Sequence, residues 1–260
     1  MKKSLNLILF SVFALTAVNL KAQAQKLPEI QKAGVKAPAD IKIDGKPTEW
    51  PKFEAYNNAN EFFYTISNDD KNIYLAIQAT YHSTIAKIVY GGITFTIKNS
   101  DKNSKTTPFS LTYPYNLMAY GGVSYELRTN PTLTESQLSN LNSKISDPLK
   151  EIPITGAKGI TDASISVYNE LGIIANGRVD DKKAYTCEIA IPLKYVQQVI
   201  DANGKFSYRL QINGMDTSGK NGTTVVGGFS LNGSTAPITR DSPDYITSPT
   251  YLDGTYTLAK

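Results

Sequence analysis

The stretch Tyr185-Thr186-Cys187-Glu188-Ile189-Ala190-Ile191-Pro192 decides the fold. Tyr185, Cys187, Ile189 and Ile191 fall on one side of a period-two pattern, and Thr186, Glu188 and Ala190 on the other. A strand sends successive side chains to opposite faces, so this is a strand with one apolar face. Working outward, three other stretches repeat the pattern. Ile73, Leu75 and Ile77 alternate with Tyr74, Ala76 and Gln78. Ile93, Phe95 and Ile97 alternate with Thr94, Thr96 and Lys98. Phe206, Tyr208, Leu210 and Ile212 alternate with Ser207, Arg209 and Gln211. Such alternation marks antiparallel strands that each bury one face. Burying each large apolar side chain contributes roughly 1.5–3 kcal/mol, and two packed sheets are the usual way to cover one-sided strands. The expected class is all-β: a two-sheet antiparallel β-sandwich, jelly-roll-like, over residues 38–260.

The breaks fit that class. Ser67-Asn68-Asp69-Asp70-Lys71-Asn72 and Ala202-Asn203-Gly204 are rich in residues that tolerate tight turns. Asn99 to Thr107 reads as a polar loop, and Ser218-Gly219-Lys220-Asn221-Gly222 as a connection between late strands. One segment departs from period two. Thr132-Leu133-Thr134-Glu135 has capping-box spacing, and Leu138, Leu141 and Ile145 follow at helical spacing. This predicts a short helical insertion near 133–145. Pro192 to Ile200 predicts a further helical turn, with Pro at a first position that needs no amide hydrogen.

Residues 1–24 read as a secretory signal peptide. Lys2 and Lys3 precede the apolar run Leu5 to Leu20, and Ala22-Gln23-Ala24 offers small residues for cleavage. The protein is then expected to be secreted or periplasmic, with residues 25–37 as a polar leader and no transmembrane segment. The formal charge is +4, and the signal's Lys2, Lys3 and Lys21 supply most of it. With no Lys/Arg cluster beyond them, nucleic acid is an unexpected partner. Cys187 is the only cysteine, so no internal disulfide can form, and it reads as a core thiol.

Three phrases occur in order: Ile43-Asp44-Gly45-Lys46-Pro47-Thr48-Glu49-Trp50, Asp69-Asp70-Lys71-Asn72-Ile73-Tyr74-Leu75-Ala76-Ile77, and the Tyr185–Pro192 strand. Together they resemble the family 9 carbohydrate-binding-module-like sandwich, a DOMON-like fold. Phe206 to Asn213 looks like the family's next strand, and Asp253 to Leu258 like its closing strand. The resemblance implies a non-catalytic, exported module that binds a glycan or oligosaccharide. Family members clamp a terminal sugar between two tryptophans. This chain has only Trp50, which lies in the opening phrase and reads as structural. At the matching places stand Tyr90 and the pair Tyr245 and Tyr251, a candidate tyrosine version of the clamp. The family arginine position is Ser110. Tyr113 and Tyr115, with Tyr120, form a second aromatic cluster that could serve as a polysaccharide platform.

Other constellations carry less chemistry. The single histidine, His82, excludes a His-based triad or a multi-His metal site within one chain. A haem-binding reading, the third alternative, would pair His82 with Met118 or Met215. Asp69, Asp70 and Asp216, with Asn68, are the calcium candidates, although no calcium-loop motif is present; no other cofactor is expected. Glu188, Asp180, Asp181 and Asp216 read as solvent-exposed carboxylates rather than a spaced catalytic pair. A cell-envelope structural or protein-interaction module without a sugar site is the second alternative.

Overall fold

Period-two patterning becomes eleven strands in a computed structural model, which describes residues 27–115, 122–215 and 243–260. They are β1 (Ala55–Asn57), β2 (Phe62–Asn68), β3 (Asn72–Ala79), β4 (Ile93–Lys98), β5 (Phe109–Tyr113), β6 (Glu151–Thr155), β7 (Ser164–Ser166), β8 (Ile174–Val179), β9 (Tyr185–Pro192), β10 (Lys205–Ile212) and β11 (Thr250–Thr257). The first sheet runs β1-β2-β3-β9-β8 and the second β11-β10-β4-β5-β6-β7. Every strand pairing within them is antiparallel. The molecule is the two-sheet β-sandwich that the alternation predicts.

The inward sets meet between the sheets. Ile73, Leu75, Ile77, Tyr185, Cys187, Ile189 and Ile191 come from the first, and Ile93, Phe95, Ile97, Phe206, Tyr208, Leu210 and Ile212 from the second. Cys187 is buried here, and burial pushes its thiol far above the usual range. Polar links cross between the sheets: the Tyr256 hydroxyl on β11 donates to Asn68 Oδ1 on β2 at 3.0 Å, and the hydroxyls of Tyr64 on β2 and Tyr208 on β10 lie 3.0 Å apart. Tyr208 needs room for this. Its partner in register on β11 is Gly254, where a Cβ would sit 2.4 Å from the Tyr208 ring. A glycine in mid-strand is explained by that close approach.

The first sheet departs from the one-face expectation. Its outer face carries a second, smaller core of Trp50, Tyr74, Ala76 and Ala190, against which Ala37, Ile41, Ile43 and Phe53 pack. The opening phrase is therefore a cover. Glu188 is not a solvent-exposed carboxylate; it is fully buried beneath that cover. Its Oε2 accepts from the backbone N–H of Asp44 at 3.0 Å and of Gly45 at 2.8 Å, and its Oε1 from the indole N–H of Trp50 at 2.6 Å. Burial raises its pKa from 4.5, and the three donors pull it back down. Gly45 has φ +77 and sits against the backbone of Arg178, so a side chain there would meet both strain and contact.

Side-chain amides take up backbone groups at two places on the first sheet, on β2 just beyond the end of β1 and on the edge strand β8. Gln31 accepts from Ile66 N–H at 2.8 Å and donates to Ile66 C=O at 2.8 Å. Asn142 does the same for Val179, at 2.7 Å and 2.9 Å. Each amide occupies backbone groups that would otherwise invite another strand. The segment read as a leader is thus tied into the fold from Pro28, whose carbonyl accepts from Tyr56 N–H at 3.0 Å. Val35 and Ala37 also exchange backbone hydrogen bonds with Asn68, at 3.0 Å and 2.8 Å.

Helices fill the connections. α1 (His82–Gly91) crosses from β3 to β4, and α2 (Val123–Thr129) and α3 (Glu135–Ser146) form the insertion between β5 and β6. α3 matches the predicted 133–145 helix, but its capping box is Thr134 with Gln137, two residues beyond the Thr132–Glu135 reading. The turn after Pro192 is two short 3-10 segments, Leu193–Tyr195 and Gln197–Val199. α4 (Pro243–Thr247) leads into β11. No helix among the described residues is long and apolar enough to cross a membrane.

Removing the Glu188 carboxylate strands three buried donors. Hydrogen bonds to a charged group are worth about 1.5–3 kcal/mol, and breaking a buried charged network costs about 3–5 kcal/mol. Glu188→Ala is expected to lower unfolding stability by roughly 3 kcal/mol in urea titration. A loss below about 0.5 kcal/mol, the range of an ordinary surface substitution, would contradict the clamp.

Candidate functional site

The outer face of the second sheet carries exposed polar and aromatic side chains. Period two on β10 and β11 sends Ser207, Arg209 and Gln211, with Tyr251, Asp253 and Thr255, to the side opposite the core. Antiparallel register sets Arg209 opposite Asp253, and Gln211 opposite Tyr251. Arg209 grips Asp253 with both arms, Nε to Oδ1 at 2.8 Å and a terminal nitrogen to Oδ2 at 2.7 Å. The same guanidinium lies 4.0 Å over the Tyr251 ring. Arg209 holds the Asp253 carboxyl below the usual range, and Asp253 in turn raises Arg209. Tyr251 remains 54% exposed. A cation on one side of a ring and water on the other leaves an oriented aromatic surface.

Across from this corner the face is small and polar. Gln211 Nε2 donates to Asn213 Oδ1 at 2.8 Å, and Asn213 Nδ2 donates to Thr94 Oγ1 at 2.9 Å. The Thr94 and Thr112 hydroxyls meet at 2.8 Å, and those of Thr96 and Ser110 at 3.4 Å. These residues sit opposite one another in the β10-β4-β5 register. The result is a row of hydroxyls and amides that ends at an exposed aromatic ring. Such a row offers hydrogen-bond donors and acceptors, and the exposed ring offers an apolar face.

The sequence candidates scatter over this architecture. Tyr251 stands on the outer face. Tyr245 is buried on α4, where its hydroxyl is 2.9 Å from Thr84 Oγ1 and donates to Glu61 Oε2 at 3.4 Å. Tyr90 is half-buried near the end of α1 and packs on the main core. Tyr245 and Tyr251 therefore point into different surroundings, one inward and one to solvent. Tyr113 faces the core from β5, and burial pushes its hydroxyl up. Tyr115 is half-buried just past that strand. Ser110 lies on the outer face, where Arg209 on β10 supplies a guanidinium.

Asp69 accepts from the N–H groups of Lys71 and Asn72 at 2.7 Å and 2.6 Å, and from the Tyr74 hydroxyl at 2.8 Å. Its carboxylate staples the β2–β3 turn. Asp70 is exposed and pairs with Lys36 at 3.3 Å. Asp216, Met118 and Tyr120 lie outside the described residues. Asp180 likewise staples a turn, accepting from Lys182 and Ala184 N–H. His82 opens α1, stacked on Tyr81 at 4.6 Å with its Nδ1 near Ser83 and Ser124.

Sequence reading passed over two groups. Arg209 and Asp253 are 44 residues apart, so only strand register brings them together. Lys87 stands inside the apolar run Ile85-Ala86-Lys87-Ile88-Val89, and that interruption was a legible signal. It is fully buried. Its ammonium donates to Thr250 Oγ1 at 2.9 Å and lies 4.6 Å over the Tyr245 ring. Burial lowers its pKa to about 8, against the raising pull of Glu61. Glu61 is held at φ 57, a backbone region uncommon for this residue type. The group fastens α1, α4 and the start of β11 behind the face that carries Tyr251.

No protein-family model matches this sequence, and no curated protein matches it.

Lys87 gives a pH test of the interior. Its native pKa of about 8 lies below the ordinary 10.5, so the unfolded chain binds more protons between those values. Stability therefore climbs with pH across that window and is lost again as pH falls through about 8. Wild type should gain on the order of 1 kcal/mol relative to Lys87→Met between neutral pH and pH near 10, read by urea unfolding. A constant difference between the two proteins would contradict the assignment.

Proposed function

We propose that the protein is an exported, non-catalytic carbohydrate-binding module that holds a glycan against the outer face of its second sheet. Tyr251 serves as the platform for the CH face of one sugar ring. Asp253, Gln211 and the Thr96–Ser110 hydroxyls contact ring hydroxyls, and Arg209 fixes the geometry of both Tyr251 and Asp253. The observation that carries the reading is the Tyr251–Arg209–Asp253 unit at the open end of a hydroxyl and amide row. The order of the opening, second and strand phrases, which resembles family 9-like modules, supports the same ligand class. Fold likeness alone assigns no ligand, so the reading rests on the site.

A preformed site of this kind suits a neutral or weakly anionic polysaccharide. Lys98 and Lys205 stand on the same outward-facing positions as Arg209, and Asp253 offsets one of the three charges. The expected experiment is a glycan array followed by calorimetry on each responding polysaccharide. Tyr251→Ala should weaken binding about tenfold or more, which corresponds to about 1.4 kcal/mol, while leaving the fold intact because the ring is exposed. Silence across plant, algal and host glycans, or equal binding by Tyr251→Ala, would overturn the proposal.

A further inference from the structure

A groove opens on the opposite side of the molecule, where α3 runs beside β8 under the Asp44 turn. Its volume is about 510 Å³, within the range of about 300–1,000 Å³ typical of small-molecule sites. One stripe of α3 lines it: Glu135, Ser139 and Ser143 recur at the spacing of a single helix face. The opposite stripe, Leu141 and Ile145, is spent on the core. Asn176 and Arg178 project from β8 as the floor, since both fall on the outward side of that strand.

The chemistry of the lining is specific. The Arg178 side chain makes no hydrogen bond or ion pair among the described residues, although the turn backbone at Gly45 packs on its stem. Asn176 accepts from Gly177 N–H through Oδ1, which leaves its amide donors for a ligand. Glu135 and the hydroxyls of Ser139 and Ser143 likewise make no hydrogen bond or ion pair among the described residues. Leu138 is the one apolar lining residue, so an apolar ligand has little to bury against. An anion attracted by Arg178 would meet Glu135 and Asp44 in the same groove. A cation drawn by those carboxylates would meet Arg178. A neutral ligand dense in hydroxyls satisfies all of them. A carboxylate accepts from two adjacent hydroxyls, and a guanidinium donates to their oxygens in the same fork geometry.

We propose that the groove between α3 and β8 is a second saccharide site that takes one or two neutral sugar rings, with vicinal hydroxyls bridging Glu135 and Arg178. It is distinct from the sheet face, and neither site depends on the other. Carrying both would let one molecule engage two segments of a glycan, a gain in avidity that needs no tighter single site.

The test is amide chemical-shift mapping of the protein titrated separately with glucose, galactose, mannose and cellobiose at millimolar concentration. Sulfate and glycine serve as the anionic and zwitterionic probes. The proposal expects saturable shifts at Ser139, Ser143, Asn176 and Arg178 with at least one sugar. Glu135→Gln should weaken that response tenfold or more, as expected on losing a charged hydrogen-bond partner, and Arg178→Ala should do likewise. Glu135 is exposed, so its variant keeps the test open if Arg178→Ala fails to fold. Tyr251→Ala should leave these shifts unchanged. No response with any of the four sugars would overturn the proposal. So would a stronger response to sulfate or glycine, persistence in both groove variants, or loss in Tyr251→Ala. The sheet-face reading is scored separately, through Tyr251→Ala on polysaccharides.

Discussion

A single buried carboxylate organises this molecule. Glu188 sits at the centre of the first sheet's outer face and takes three hydrogen bonds, all from the opening segment that closes over it. A charge so placed is costly unless its lone pairs are satisfied, and once satisfied it specifies one arrangement of the covering chain. Because the cover is fixed, the first sheet is buried on both faces along β9. The second sheet keeps an outer face that carries exposed polar and aromatic side chains. The cover reaches β3 and β9 and stops short of β8, whose outward side chains stay accessible.

Side-chain amides extend the same logic to the edges. Gln31 and Asn142 each imitate one rung of a strand, the first on β2 beyond the end of β1 and the second on the edge strand β8. Each amide removes one rung that another strand could use. Other polar groups at the surface belong to side chains. On the second sheet these are hydroxyls, amides and one guanidinium–carboxylate pair beside Tyr251. Along β8 they are the groove-lining groups of Arg178 and α3.

Much of the architecture was legible because strand alternation is a direct record of which side chains face inward. The four stretches around Ile73, Ile93, Tyr185 and Phe206 all became strands with the expected faces inward. α3 was legible from Leu138, Leu141 and Ile145. α1 was not, because Ser83 to Val89 are all buried, and burial on nearly every side removes the periodic signal. The buried role of Glu188 escaped the sequence because its partners lie 138 to 144 residues away. The tyrosines illustrate the limit of matching by position. Tyr245 and Tyr251 are six residues apart in sequence, yet a helix end and a strand start turn one inward and the other to water. Arg209 and Asp253 became partners only through β10–β11 register.

The most direct measurement uses the fact that Trp50 is the only tryptophan. Its indole N–H gives one isolated resonance, and hydrogen–deuterium exchange at that proton reports the clamp without any substitution. If Glu188 fixes the cover on the sheet, the indole proton is protected to the same degree as the backbone amides of β9 and exchanges only with global unfolding. Exchange as fast as that of an open loop, with β9 itself still protected, would mean that the opening segment is not held by the carboxylate, and the account would fail at its base.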